Sequence, residues 1–68
     1  MTSTNYTLEE VQKELDERFV ENISFEREDE FNWYFNYGIE QLKVRKNDCA
    51  VHFRKKGQSE WNYDFDLM

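Results

Sequence analysis

The side chains best suited to catalysis in this sequence are one cysteine, one histidine and many carboxylates. Cys49 and His52 lie three residues apart, and a cysteine with a histidine can form a thiolate nucleophile with its general base. We expect both residues on one strand, where odd and even positions face opposite sides, so the pair would not meet. The pattern predicts that Cys49 is a small buried hydrophobe and that His52 is exposed.

The motifs in the chain indicate neither metal nor cofactor chemistry. One cysteine and one histidine are too few for a four-ligand zinc site without carboxylates, and a lone cysteine forms no internal disulfide. The chain has no phosphate-loop, dinucleotide-binding, zinc-protease or nucleophile-elbow motif. No carboxylate falls in a predicted concave apolar setting that would raise a catalytic pKa. The sequence therefore predicts a protein that is not an enzyme and that uses no cofactor or metal.

Basic residues are concentrated in one segment of an acidic chain. The net charge of the 68 residues is −6, yet residues 42–58 carry six bases and one acid. On one face of the predicted sheet, a basic and aromatic cluster would consist of Tyr34, Lys43, Arg45, His52 and Arg54. Such a face can bind single-stranded nucleic acid by base stacking and phosphate attraction, although the net charge disfavours this ligand. The alternative is cross-strand charge balance, with Glu26, Asp64 and Asp66 as partners.

Two other surfaces are candidates for binding a protein. The first is an acidic helix face that would imitate a phosphate backbone, formed by Glu10, Glu14, Glu17 and Glu21. The second is an aromatic set in the last strand, formed by Trp61, Tyr63 and Phe65. A helix of about 15 residues is roughly 22 Å long and about 10 Å wide, so it covers only part of a sheet. Either the sheet curls around the helix, or a second subunit or a partner covers the remainder. An ordinary solvated surface is the alternative for the acidic face.

One amphipathic helix, predicted at about 7–22, is the first element that positions these residues. Thr7 and Glu10 have the spacing of a capping box. An apolar stripe at helical spacing follows, formed by Leu8, Val11, Leu15 and Phe19.

Alternating apolar and polar residues then predict strands at about 23–27, 31–37, 42–46, 49–55 and 59–67. Two-residue turns at positions 38–39 and 47–48 and longer loops at 28–30 and 56–58 bring apolar residues opposite one another. The expected pairs are Phe35 with Leu42, Trp33 with Val44, Val44 with Val51, Leu42 with Phe53, Phe53 with Trp61, and Phe25 with Trp33. One long bent strand through positions 28–30 is the alternative to the first loop.

The predicted fold is therefore α+β: one domain over residues 1–68, with an N-terminal helix packed on a four- or five-stranded antiparallel meander sheet. Our leading interpretation is a small acidic protein-binding module, an inhibitor or accessory factor of phage or bacterial type. The alternatives are single-stranded nucleic-acid binding and a structural homodimer. The chain has no signal-peptide pattern and no long apolar run, which predicts a cytoplasmic protein without a membrane partner.

Overall fold

The chain forms one helix and one five-stranded sheet in a computed structural model that describes residues 6–19 and 23–67. The elements are α1 (Leu8–Arg18), β1 (Ser24–Glu28), β2 (Asn32–Tyr37), β3 (Glu40–Arg45), β4 (Ala50–Lys55) and β5 (Asn62–Asp66). All neighbouring strands are antiparallel and follow one another in chain order. The predicted α+β fold with an N-terminal helix and an antiparallel meander is confirmed, and the sheet has five strands.

Helix α1 begins with the predicted capping box. The Glu10 N–H donates to Thr7 Oγ1 at 3.2 Å, and the Thr7 N–H donates to Glu10 Oε1 at 2.9 Å. The helix ends at Arg18 because Phe19 adopts an extended backbone, with φ −109° and ψ 136°. It is therefore shorter than the predicted range of 7–22, of which residues 20–22 lie outside the described residues.

The hydrophobic core lies between α1 and one face of the sheet, which we call the inner face. Val11 and Leu15 of the helix are fully buried there. They pack in one cluster with Ile23, Trp33, Phe35, Leu42, Val44, Cys49, Val51 and Leu67. The opposite side of the sheet is the outer face. The alternation of apolar and polar residues in β2 and β3 directs the apolar ones to the inner face.

The three central strands pair in the predicted register. Phe35 lies opposite Leu42, Val44 lies opposite Val51, and Leu42 lies opposite Phe53. Gly38 adopts a φ of 62° in the two-residue turn between β2 and β3, a backbone conformation that glycine adopts without strain.

The turn between β3 and β4 is longer than the two residues predicted. It spans positions 46–49, the Cys49 N–H donates to the Arg45 carbonyl at 2.7 Å, and Cys49 has a φ of 60°. Because the turn is one residue longer than predicted at each end, the pairing of Val44 with Val51 is the predicted one. The Asp48 carboxylate holds this turn by accepting from the Ala50 N–H at 3.1 Å.

The predicted pairings of the two edge strands were wrong. Phe25 lies opposite Phe35 rather than Trp33, and Phe53 lies opposite Asn62 rather than Trp61. The pairing differs from the prediction already beside the connecting loops, where Glu28 lies opposite Trp33 and Phe53 opposite Asn62. Further along, each edge strand also contains a β-bulge, an extra residue that shifts the register again. Strand β5 also begins at position 62 instead of the predicted 59.

Candidate functional site

The bulge in β1 brings an arginine to the outer face. Between the pairs Phe25–Phe35 and Arg27–Tyr34, the extra residue is Glu26. A bulge breaks the regular in–out alternation, so Arg27 shares the outer face with its partner Tyr34 although its odd number predicts the inner face. The Arg27 guanidinium carbon lies 3.8 Å from the centroid of the Tyr34 ring.

The bulge in β5 brings two aromatic residues to the same face. Asp64 is the extra residue, and it places Tyr63 opposite His52. Tyr63 is 58% exposed, and its ring meets the His52 ring edge to face at 5.6 Å between centroids. Trp61, which alternation places on the inner face, contacts side chains of the outer face instead.

Trp61 is the centre of a cationic and aromatic cluster. The Arg54 guanidinium carbon lies 4.2 Å from the centroid of the indole, and Lys43 Nζ lies 4.9 Å from it. The Tyr34 ring lies 6.0 Å away at an interplanar angle of 51°. Cations over an indole are attracted by the negative face of the ring, so the contacts fix both side chains beside it.

Tyr34 is held in place by a carboxylate at the neighbouring turn. Its hydroxyl donates to Asp29 Oδ2 at 2.8 Å. This hydrogen bond, together with bonds from the Phe31 and Asn32 N–H groups, lowers the pKa of Asp29 below its ordinary value. The aromatic ring is therefore anchored at its polar end, and its position does not depend on a ligand.

Two cations, at the end of β3 and in the turn that follows it, are paired with carboxylates. Arg45 donates twice to Asp48, at 3.0 and 2.9 Å, and Lys46 Nζ lies 2.6 Å from Glu28 Oε2. Neither carboxylate is among the acidic partners expected from the sequence. Glu26, one of those expected partners, instead accepts a hydrogen bond from the side chain of Gln41 at 3.3 Å.

Three cations on the outer face make no ion pair within the part of the chain that the structure describes. These are Arg27, Lys43 and Arg54. Arg54 donates to the side-chain oxygen of Gln41 at 3.0 Å and to the Ser59 carbonyl at 3.3 Å, both neutral acceptors. Burial lowers the pKa of Lys43, and the positive charges of Arg54 and Arg45 lower it further. The cluster therefore contains mutually repelling cations that an anion would stabilise.

The surroundings of His52 favour the neutral form of its ring. Partial burial lowers the pKa of its ring, and the nearby charges of Lys43 and Arg45 act in the same direction. Its Nδ1 atom is buried and has no hydrogen-bond partner among residues 6–19 and 23–67. The five residues predicted as a binding cluster are thus brought together on one face: Tyr34, Lys43, Arg45, His52 and Arg54.

The acidic helix surface is described only in part. Glu10 and Glu17 are exposed, and Glu14 is partly exposed at 4.0 Å from Arg18. Glu10 also accepts the capping-box hydrogen bond from Thr7. Glu21, the fourth residue of the predicted acidic face, lies outside the described residues.

The three aromatic residues of the last strand do not form one surface. Trp61 and Tyr63 lie on the outer face, but Phe65 is half-buried on the inner face. The Phe65 ring packs 6.4 Å from Phe19, and the Arg18 guanidinium carbon lies 5.5 Å from its centroid. The uncovered aromatic strand expected from the sequence is therefore divided between the two faces by the bulge at Asp64.

Sequence reasoning missed three members of the outer face: Arg27, Trp61 and Tyr63. Arg27 lies in a run of three charged residues, Glu26, Arg27 and Glu28, at which the alternation is lost, and that run is a readable signal for a bulge. Strand β5 gives no such signal, because Trp61, Tyr63 and Phe65 alternate without interruption.

Neither metal-binding nor membrane-spanning features are found in the described residues. Among positions 6–19 and 23–67, no three side chains of His, Cys, Asp or Glu are grouped to hold a metal ion. The helix of these residues is too short and too polar to cross a bilayer.

Comparison with known proteins gives no relative from which a function can be transferred. No protein-family model matches the chain, and no curated protein or solved structure is significantly similar to it. The chemistry of the outer face is accordingly the basis on which a function can be proposed.

Proposed function

We propose that this protein binds single-stranded nucleic acid on the outer face of its sheet. The observation that carries the proposal is the convergence of three exposed or half-exposed aromatic rings with cations that lack a carboxylate partner. Stacking of bases on aromatic rings and attraction of phosphates by lysine and arginine are the two components of this kind of binding.

The bulges support the proposal because they place functional side chains at some cost to regular pairing. Each leaves one residue unpaired in an edge strand, and each adds cationic or aromatic side chains to the outer face. Bulges commonly occur where a strand has to redirect a side chain toward a binding or active site. The side chains that lie on the outer face beside these bulges are Arg27, Trp61 and Tyr63.

The repulsion between the net charge of −6 and a phosphate is weakened at the outer face. Helix α1 and its glutamates lie on the other side of the sheet, and the molecule measures at least 20 Å along each principal axis. Ions screen interactions between exposed charges beyond about 8 Å at physiological salt. A phosphate at Lys43 or Arg54 therefore responds mainly to the local positive charge.

The test is fluorescence anisotropy with a labelled single-stranded oligonucleotide of about 12 nucleotides, within the usual range of site sizes. We expect binding at low salt whose logarithmic dependence on salt has a slope near −2, since about three phosphates would be contacted. Lys43→Gln should weaken binding by about tenfold, because a desolvated cation at the centre of the face is removed.

Lys13→Gln is the matched control, since it removes the same charge from the helix on the far side of the sheet. Trp61→Ala should also weaken binding, by about 1–3 kcal/mol per lost stacking contact. Equal losses in the Lys43 and Lys13 variants would show a general charge effect, and absence of binding at low salt would refute the proposal.

A protein partner is the second candidate, favoured by the exposed carboxylates of α1. Glu9, Asp16 and Glu17 are exposed and make no ion pair within residues 6–19 and 23–67. Such a surface would engage a basic protein. Binding of a basic partner that is lost in Glu17→Lys and retained in Lys43→Gln would favour this candidate.

A further inference from the structure

A cleft lies at the end of the outer face, between the turn that precedes β2 and the turn that follows β3. Its volume is about 590 Å³, and its walls include Phe31, Asn32, Lys43, Arg45, Lys46 and His52, with Glu30 as the one acidic residue. A site for a small ligand typically has a volume of roughly 300–1,000 Å³. The cleft is thus large enough for one nucleotide.

The charges of the cleft favour an anion at one position. Arg45 and Lys46 are held by Asp48 and Glu28, so their side chains are fixed and their charges largely balanced. Lys43 has no such partner among the described residues, and it lies between the cleft and Trp61. Asp29 and Glu30, in the turn before β2, offset part of the positive charge, and Lys43 is the cation of the cleft that is left without an ion pair for a phosphate to bind.

An exposed aromatic ring completes the cleft. Phe31 is 65% exposed, although a phenylalanine gains stability when it is buried. Its backbone is fixed on both sides: the N–H donates to Asp29 Oδ1 at 2.9 Å, and the carbonyl accepts from the Lys46 N–H at 2.8 Å. The ring is presented to solvent by a rigid turn, beside the Asn32 side chain. The Asn32 Nδ2 group donates to the Tyr34 hydroxyl at 3.4 Å, and its amide oxygen can accept a hydrogen bond from a base edge.

We infer that this cleft binds one nucleotide, with its base against Phe31 and its phosphate at Lys43. The inference rests on the proposed function, because it assigns to one nucleotide of the bound strand a defined place at the end of the outer face. Lys43 contacts both this cleft and Trp61, so neighbouring nucleotides would continue across the face toward the indole.

The experiment titrates the protein with adenosine 5′-monophosphate, adenosine and inorganic phosphate separately, by calorimetry and by competition against the labelled oligonucleotide. We expect the monophosphate to bind and to displace the oligonucleotide, and adenosine and phosphate each to bind at least about tenfold more weakly. Phe31→Ala should weaken monophosphate binding by about 10- to 100-fold, as the loss of one stacking ring does.

Ile39→Ala is the matched control, since Ile39 is 71% exposed on the turn at the other end of β2 and β3. Circular dichroism checks that both variants fold. Suppose that the oligonucleotide binds, that the monophosphate does not displace it, and that Phe31→Ala leaves its affinity unchanged. The cleft inference is then wrong and the proposed function stands. Monophosphate binding without oligonucleotide binding would support the cleft and overturn the proposed function. If neither ligand binds, both are wrong.

Discussion

Cys49 has a left-handed backbone conformation, which is unfavourable for a residue other than glycine. Among the described residues it is the one non-glycine position with a positive φ, 60°, and it is fully buried. The left-handed conformation costs a residue with a Cβ atom about 1–2 kcal/mol. The thiol itself is inert at neutral pH, since burial raises its pKa to about 11.

We therefore predict an unusual order of stability for two substitutions at this position. Both Cys49→Ala and Cys49→Gly remove the thiol, but only glycine relieves the backbone strain. Glycine should be more stable than alanine by about 0.5–1 kcal/mol, after allowance for its larger unfolded-state entropy. Urea unfolding measures the difference. The adjacent Ala50→Gly is the control and should destabilise; an alanine variant as stable as the glycine variant would contradict the strain.

His52 should make nucleic-acid binding dependent on pH. The charged groups facing it are Lys43 and Arg45 on β3 and Asp48 in the following turn, with the Tyr63 hydroxyl on β5. In the free protein its pKa is lowered from 6.5, first by burial and then by the two cations. A nearby phosphate would raise that pKa, so binding would take up a proton.

The sign of the effect follows from this proton uptake. Affinity for the oligonucleotide should increase as the pH falls from about 8 to about 6, because protonation and phosphate binding favour each other. Anisotropy titrations across this range, repeated with His52→Gln, measure the effect. The glutamine variant should lose most of the pH dependence, and an identical dependence in both proteins would exclude His52 as its source.

At the level of elements, the central part of the fold could be predicted and its edges could not. The capping box at Thr7 and Glu10 and the pairing of Phe35 with Leu42 follow from local spacing and from the need to bury one face. In the edge strands only one side is paired, so an extra residue is tolerated there. The charged run at positions 26–28 signals the bulge in β1, whereas the regular alternation in β5 does not reveal the bulge at Asp64.

The candidate site shows the same division between centre and edge. Lys43, His52 and Arg54 lie on the two strands whose register the sequence predicts, and their common face follows directly. Trp61 was assigned to the wrong face because Phe53 pairs with Asn62 rather than with Trp61, a shift of one residue that the sequence pattern does not show. The side chains that central strands place in a site can therefore be predicted from alternation. The side chains that edge strands place there can be identified only from the structure.

At the level of the whole molecule, α1 and the outer face of the sheet differ in charge. Helix α1 carries five acidic and two basic residues, whereas Arg27, Lys43 and Arg54 lie on the outer face without an ion pair among residues 6–19 and 23–67. This difference would allow a chain of net charge −6 to bind an anion on the outer face. It also orients the molecule, since a phosphate chain would approach the outer face and be repelled from the helix.

The same two bulges have a consequence for how copies of this protein meet. An edge strand with a straight row of free N–H and carbonyl groups invites another chain to pair with it, and bulges are one means by which proteins prevent this. Both free edges, β1 and β5, carry one. Deletion of Asp64 should make β5 a regular strand, leave Tyr63 opposite His52, and open an edge for self-association.

Sedimentation at about 100 μM tests this expectation, a concentration at which exposed edges cause aggregation. The unaltered chain and Asp64→Asn, which keeps the extra residue but not its charge, should both sediment as monomers. The deletion variant should form dimers or larger species, and if it stays monomeric the bulge does not protect the edge. The residues that direct aromatic side chains to the outer face would thus also keep the sheet from growing into a fibril.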